Sequence, residues 1–122
     1  MSYWVYLGKS VEAIDNCEEG ALCSVASHEE GGTYCVGGED TAQLNVTYNY
    51  GVHIWKYLPK GLLWLDGKKA HRCIARLEKA VAELGDVPDD DYWAPTEGNA
   101  GHALAILLSW ARQYPNAVFL VS

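Results

Sequence analysis

The seven residues Leu44-Asn45-Val46-Thr47-Tyr48-Asn49-Tyr50 alternate apolar and polar side chains. An extended chain points successive side chains to opposite faces, so this period of two marks a β-strand. A strand over Leu44–Asn49 turns Leu44, Val46 and Tyr48 to one side and Asn45, Thr47 and Asn49 to the other. The first side asks for cover by another layer. The second carries hydroxyl and carboxamide groups where a solvated sheet often shows Lys or Glu, and such groups orient ligands in pockets.

Other segments follow the same logic. Tyr3–Leu7 alternates and reads as the first strand. Gly8-Lys9-Ser10 is a turn, and Val11–Glu30 lacks sustained periodicity, with room for a short hairpin near Ala21–Val25. Gly31-Gly32 leads into a strand over Thr33–Val36, ended by Gly37-Gly38. Val52, Trp55 and Leu58 recur at helical spacing before Pro59, which predicts a short stopped helix. Gly61–Leu65 is either a strand or a turn. Asp66 is placed to cap a helix over Gly67–Leu84, whose Ala70, Ile74, Leu77, Val81 and Leu84 form one apolar stripe closed by Gly85.

Thr96 is the expected N-cap of a last helix, Glu97–Tyr114, that buries Ala100, Ala103, Leu104, Leu107, Leu108 and Ala111. A second stripe, His102, Ile106 and Trp110, implies burial on both sides or a helix shared with another copy. Ala117–Val121 reads as the final strand. Short strands before and after two amphipathic helices predict an α+β fold: one domain over residues 1–122, with a mainly antiparallel sheet and two principal helices packed on one side.

Charge is unevenly placed along the 122 residues. Residues 1–50 hold eight acids and one base, whereas residues 51–122 hold eight of each, and the whole chain carries −7. A negative field disfavours nonspecific nucleic-acid binding. It suits a basic partner, or else reflects acids on solvated loops. The asymmetry, together with the second stripe of the last helix, predicts a homodimer. The start, Met1–Val5, has no basic n-region and no long apolar h-region, and no apolar run approaches bilayer length. The expectation is a cytoplasmic protein with no membrane partner.

The four cysteines, Cys17, Cys23, Cys35 and Cys73, lack a tight knuckle: Cys17 and Cys23 are separated by five residues, whereas structural zinc takes closer pairs. Reduced thiols and no zinc are expected. Asp89-Asp90-Asp91 lacks EF-hand spacing. The chain has no GxSxG, CxxC, HExxH, GxGxxG or GxxxxGK[ST] pattern, so neither a catalytic residue nor a cofactor is expected, and the chain is read as a non-enzyme.

Binding has better support. Asn45, Thr47 and Asn49 form a polar strand face, and the start of the last helix, Thr96 and Asn99, offers free N–H groups to an anion. Tyr92 and Trp93 are placed to stack on a planar ring, and Gly98 and Gly101 leave space near that terminus. The competing reading is internal: the Asn and Thr side chains satisfy loop backbone groups, and the aromatics fill the core. The basic row Lys69, Arg72, Arg76 and Lys79 is either a solvated face or a functional one, and Lys68 and Lys69 would sit against the helix dipole.

Gly31-Gly32-Thr33-Tyr34, Gly37-Gly38, Leu44–Tyr50, Asp90-Asp91-Tyr92-Trp93 and Thr96-x-Gly98-Asn99-Ala100 resemble a group of small phage- and prophage-encoded proteins of unknown function. His28 fits the same pattern, and the resemblance spans roughly residues 28–114. Cys17, Cys23 and Cys35 stand outside it. The resemblance carries over no catalytic residues. It implies an accessory protein of the host-cell cytoplasm that binds and neutralises a host component, for instance a defence factor. The alternatives are a sequestering protein for a small anionic or nucleotide-like ligand, and a small enzyme.

Overall fold

Five strands form an antiparallel sheet in the order β2-β3-β4-β1-β5. They are β1 (Ser2–Gly8), β2 (His28–Glu30), β3 (Thr33–Gly37), β4 (Ala42–Thr47) and β5 (Val118–Val121). The computed structural model describes residues 2–15, 28–30, 33–37, 42–91 and 93–122. Cys17, Cys23, Gly31, Gly32, Gly38, Tyr92 and the hairpin expected near Ala21–Val25 lie outside the described residues.

β1 is central. It pairs with β4, with Val5 opposite Leu44 and Tyr3 opposite Val46, and on its other edge with β5, with Leu7 opposite Phe119. Because β1 is antiparallel to both neighbours, β4 and β5 run parallel to each other. A β4-to-β5 connection must therefore cross the sheet, and helices supply that crossover.

The crossover starts with a 3-10 turn over Tyr48–Tyr50, which continues into the short helix α2 (Gly51–Ile54). Two further 3-10 turns, Gly61–Leu65 and Ala70–Arg72, precede α3 (Ile74–Leu84), and α4 (Glu97–Gln113) leads to β5. A five-residue helix, α1 (Val11–Asp15), follows β1. Val5, Leu7, Ala42, Leu44, Val46, Phe119 and Val121 join Leu77, Ala80, Ala100, Leu104 and Leu107 in one apolar cluster. This is the α+β arrangement expected, with α3 and α4 on one side of an antiparallel sheet.

Several boundaries differ from the expectations. β4 ends at Thr47, not Asn49. The Thr47 hydroxyl accepts from the Asn49 N–H at 3.3 Å and caps the 3-10 turn. This puts Tyr48, 44% exposed, outside the strand, with its ring against Tyr3 at 4.5 Å between centroids. The residues buried after it are Tyr50, Ile54 and Leu58, not Val52 and Trp55. Spacings of three and four residues both lie along a helix, and only the neighbours decide which row turns inward.

The helix over Gly67–Leu84 is shorter than its periodicity implied. Gly67 has φ +77°, outside helical space, and the chain around it pairs with β5. The Gly67 N–H donates to the Phe119 carbonyl at 2.8 Å, and the Phe119 N–H to the Lys68 carbonyl at 3.0 Å. Asp66 does not cap a helix; its carboxylate accepts from the Val121 N–H at 3.0 Å. The outer edge of β5 is thus covered, which blunts an exposed sheet edge. Lys68 and Lys69 precede the helix and escape its dipole. In α4, Trp110 is 3% exposed and Ile106 packs against the core, so the second stripe is engaged within the chain.

Candidate functional site

Asn99 is the centre of the expected polar cluster, and it is 2% exposed. Its Oδ1 accepts from the Asp89 N–H at 2.8 Å, and its Nδ2 donates to the carbonyls of Asp91 at 2.9 Å and Ala94 at 3.0 Å. Its backbone N–H donates to Thr96 Oγ1 at 3.1 Å, confirming Thr96 as the N-cap. One buried carboxamide therefore ties residues 89–94 to the first turn of α4. A buried Asn retained with all three side-chain bonds made is a structural clamp.

Asn49 and His53 hold the same loop from the other side. Asn49 Nδ2 donates to the Trp93 carbonyl at 2.9 Å, and His53 Nε2 lies 2.7 Å from the Pro95 carbonyl. A carbonyl only accepts, so Nε2 carries the proton, and Nδ1 is left buried without a hydrogen-bond partner among the described residues. Positions 49 and 53 are one helical turn apart. That spacing is the signal by which His53 was findable in the sequence.

Asn45 stands apart, donating to Ser2 Oγ at 2.6 Å and to the Tyr3 carbonyl at 3.4 Å. The structure thus gathers Asn49, Trp93, Thr96 and Asn99 around one loop, leaves Asn45 on the sheet, and uses Thr47 as a cap. Gly98 and Gly101 do not leave space for a ligand. A Cβ at Gly98 would stand 2.1 Å from the Val87 carbonyl oxygen, and one at Gly101 would stand 1.6 Å from that of Gly85. The room is filled by the protein's own backbone.

What the surface offers instead is aromatic. Tyr48, Val52 and Trp55 follow one another at helical spacing, and they are 44%, 62% and 59% exposed. Two of the three are held in place. Tyr48 rests on Tyr3, and the Trp55 indole covers Gly61, where a Cβ would meet Nε1 at 2.9 Å. Gly61 has φ +64°, which glycine adopts without strain. Trp93, 57% exposed, is fastened through its carbonyl to Asn49, the residue after Tyr48.

Among the described residues no group of His, Cys, Asp and Glu is arranged to hold a metal ion. No helix among them is long and apolar enough to cross a membrane. Cys73 is a free thiol, and its burial pushes its pKa up from 9.0 to about 11, against a smaller lowering by Lys68. A neutral buried thiol is a poor nucleophile. No protein-family model, curated protein or solved structure matches the chain.

Proposed function

We propose that this chain is a non-catalytic protein that acts by binding another protein, through the row Tyr48, Val52 and Trp55. The observation that carries this reading is that its two aromatics are exposed yet held by packing. Exposed Trp and Tyr side chains are the commonest anchors of protein interfaces, and anchors already ordered lose little freedom on binding. The exposed Lys60 precedes Gly61, which the Trp55 indole covers, so the partner is one with an apolar recess bordered by an acidic group. The polar cluster at Asn99 supports the same reading from the other side, because its carboxamide is used internally. If the chain is phage-encoded, as the resemblance of its motifs implies, the partner is a host component.

The test uses a photo-crosslinking residue at Val52, with one at the exposed Glu83 on α3 as control. The expected result is one discrete adduct from position 52 that Trp55→Ala abolishes. With the purified partner, Trp55→Ala then weakens binding by about tenfold or more, roughly 1.4 kcal/mol, with the circular dichroism unchanged. Equal adducts from both positions would refute the reading. An adduct between two copies of the chain would make the row a homodimer face instead.

A further inference from the structure

Arg72, just before α3, and Arg76 and Lys79 on it form one wall of a groove of about 560 Å³, lined by Lys56, Tyr57, Trp64, Arg72, Ala75, Arg76 and Lys79. Four of these seven residues are cations and none is a carboxylate. Among the described residues no acid pairs with them. Glu78, the nearest in sequence, turns to Arg112 of α4 at 2.8 Å. A fifth cation stands beside them: Lys68 Nζ lies 4.7 Å from the centre of the Trp64 ring and also bonds the Trp64 carbonyl. The Arg76 guanidinium lies 5.0 Å from the same ring, with Nη1 3.5 Å from the Tyr57 carbonyl.

For folding alone this placement is unfavourable. Arg72, at the end of the 3-10 turn, and Arg76, in the first turn of α3, line the same groove, where like charges repel. Arg76 also sits where the helix dipole disfavours cations. In a chain of net charge −7, five of the eight bases after residue 50 gather here.

We propose that this groove binds a small molecule carrying two or three linked phosphates. Guanidinium groups fit phosphate oxygens bidentately, and lysines add point charge around them. The volume lies in the range of small-molecule sites. Trp64 already has Arg76 and Lys68 over its ring, an attraction that holds both cations in place. Recognition therefore falls on the phosphates rather than on a stacked base. The negative field of the rest of the chain disfavours a long nucleic acid at the same place. The site is independent of the aromatic row, and either proposal can fail alone.

Isothermal titration of the purified chain with tripolyphosphate, ATP and orthophosphate, at about 0.1 M salt, tests this. One tripolyphosphate per chain is expected, bound about tenfold or more tighter than orthophosphate. Equal affinity for ATP assigns recognition to the phosphates alone, and tighter ATP binding adds a nucleoside contact to the same site. Arg76→Gln and Lys79→Gln each weaken binding about fivefold or more, with the melting temperature of Lys79→Gln unchanged. Lys9→Gln, the same charge change away from the groove, leaves binding intact. The proposal is overturned by any of three results: no saturable binding of either triphosphate, equal weakening by Lys9→Gln, or a single-stranded oligonucleotide that outcompetes tripolyphosphate at equal phosphate concentration.

Discussion

Asn99 separates structure from binding at the scale of one residue. Truncating it leaves an N–H and two carbonyls of residues 89–94 without their partner, in a place where Asn99 itself is buried. Asn99→Ala is expected to lower stability by about 2–4 kcal/mol, because each buried group keeps its desolvation cost and loses its bond. Asn99→Asp keeps the acceptor and loses both donors, so it is expected to destabilise as well. Asn49→Ala breaks one exposed bond and costs about 1 kcal/mol or less. Urea denaturation ranks the three. A ligand site centred on Asn99 would instead show lost affinity with stability intact.

At the scale of elements, the contact that orients α4 against α3 is made by glycines. The first turns of α4 lie on the backbone that leaves α3, with Gly101 against Gly85 and Gly98 against Val87. A methyl group at Gly101 overlaps a carbonyl oxygen, and backbone has little freedom to retreat between two packed helices. Gly101→Ala is expected to destabilise by about 3 kcal/mol or more, despite the better helix propensity of alanine. The same change at the solvent-facing Gly85 C-cap works by another route, since φ +77° strains any side chain there. Thermal unfolding that left Gly101→Ala as stable as the parent would show that the helices do not approach this closely. The shortening of the α3 helix belongs to the same scale. Ala70 sits on the stripe predicted for it and is buried, yet Gly67 and the pairing of residues 67–69 with β5 take the chain out of helix before it.

Across the whole molecule, Cys73 links the core to pH. Its thiol is held neutral by burial, with its pKa raised to about 11. An acid whose folded pKa exceeds its unfolded value favours folding while protonated. That contribution is complete below pH 9.0 and is lost as pH rises toward about 11. The stability difference between the parent and Cys73→Ala is therefore expected to shrink by roughly 2 kcal/mol across that window. Measuring both proteins in urea at each pH cancels the other titrations. A constant difference would mean that the thiol titrates alike folded and unfolded. Thiol reagents should reach Cys73 only as the core opens.

The sequence by itself determined the class of fold and most of its elements. Alternation in Tyr3–Leu7 and Leu44–Thr47, and the stripes of Ile74–Leu84 and Ala100–Ala111, need only local geometry, and they predict a sheet with two covering helices. The Thr96 cap was legible for the same reason, because a cap and its N–H are three residues apart. What the tertiary structure alone decided depended on partners distant in the chain. Asp66 took Val121 in place of a helix end, and Gly98 and Gly101 were filled by residues 85–87. Tyr48, Val52 and Trp55 turned outward because Tyr50, Ile54 and Leu58 reached the core. The candidate site divided in the same way. A row of polar residues shows which side chains carry hydrogen-bonding groups, but whether those groups meet a ligand or their own backbone is set by which loop folds over them. The groove is the converse case. The basic row was visible in the sequence from Arg72 to Lys79, but its opposite wall, Lys56, Tyr57 and Trp64, comes from earlier in the chain and exists only once the crossover has packed on the sheet.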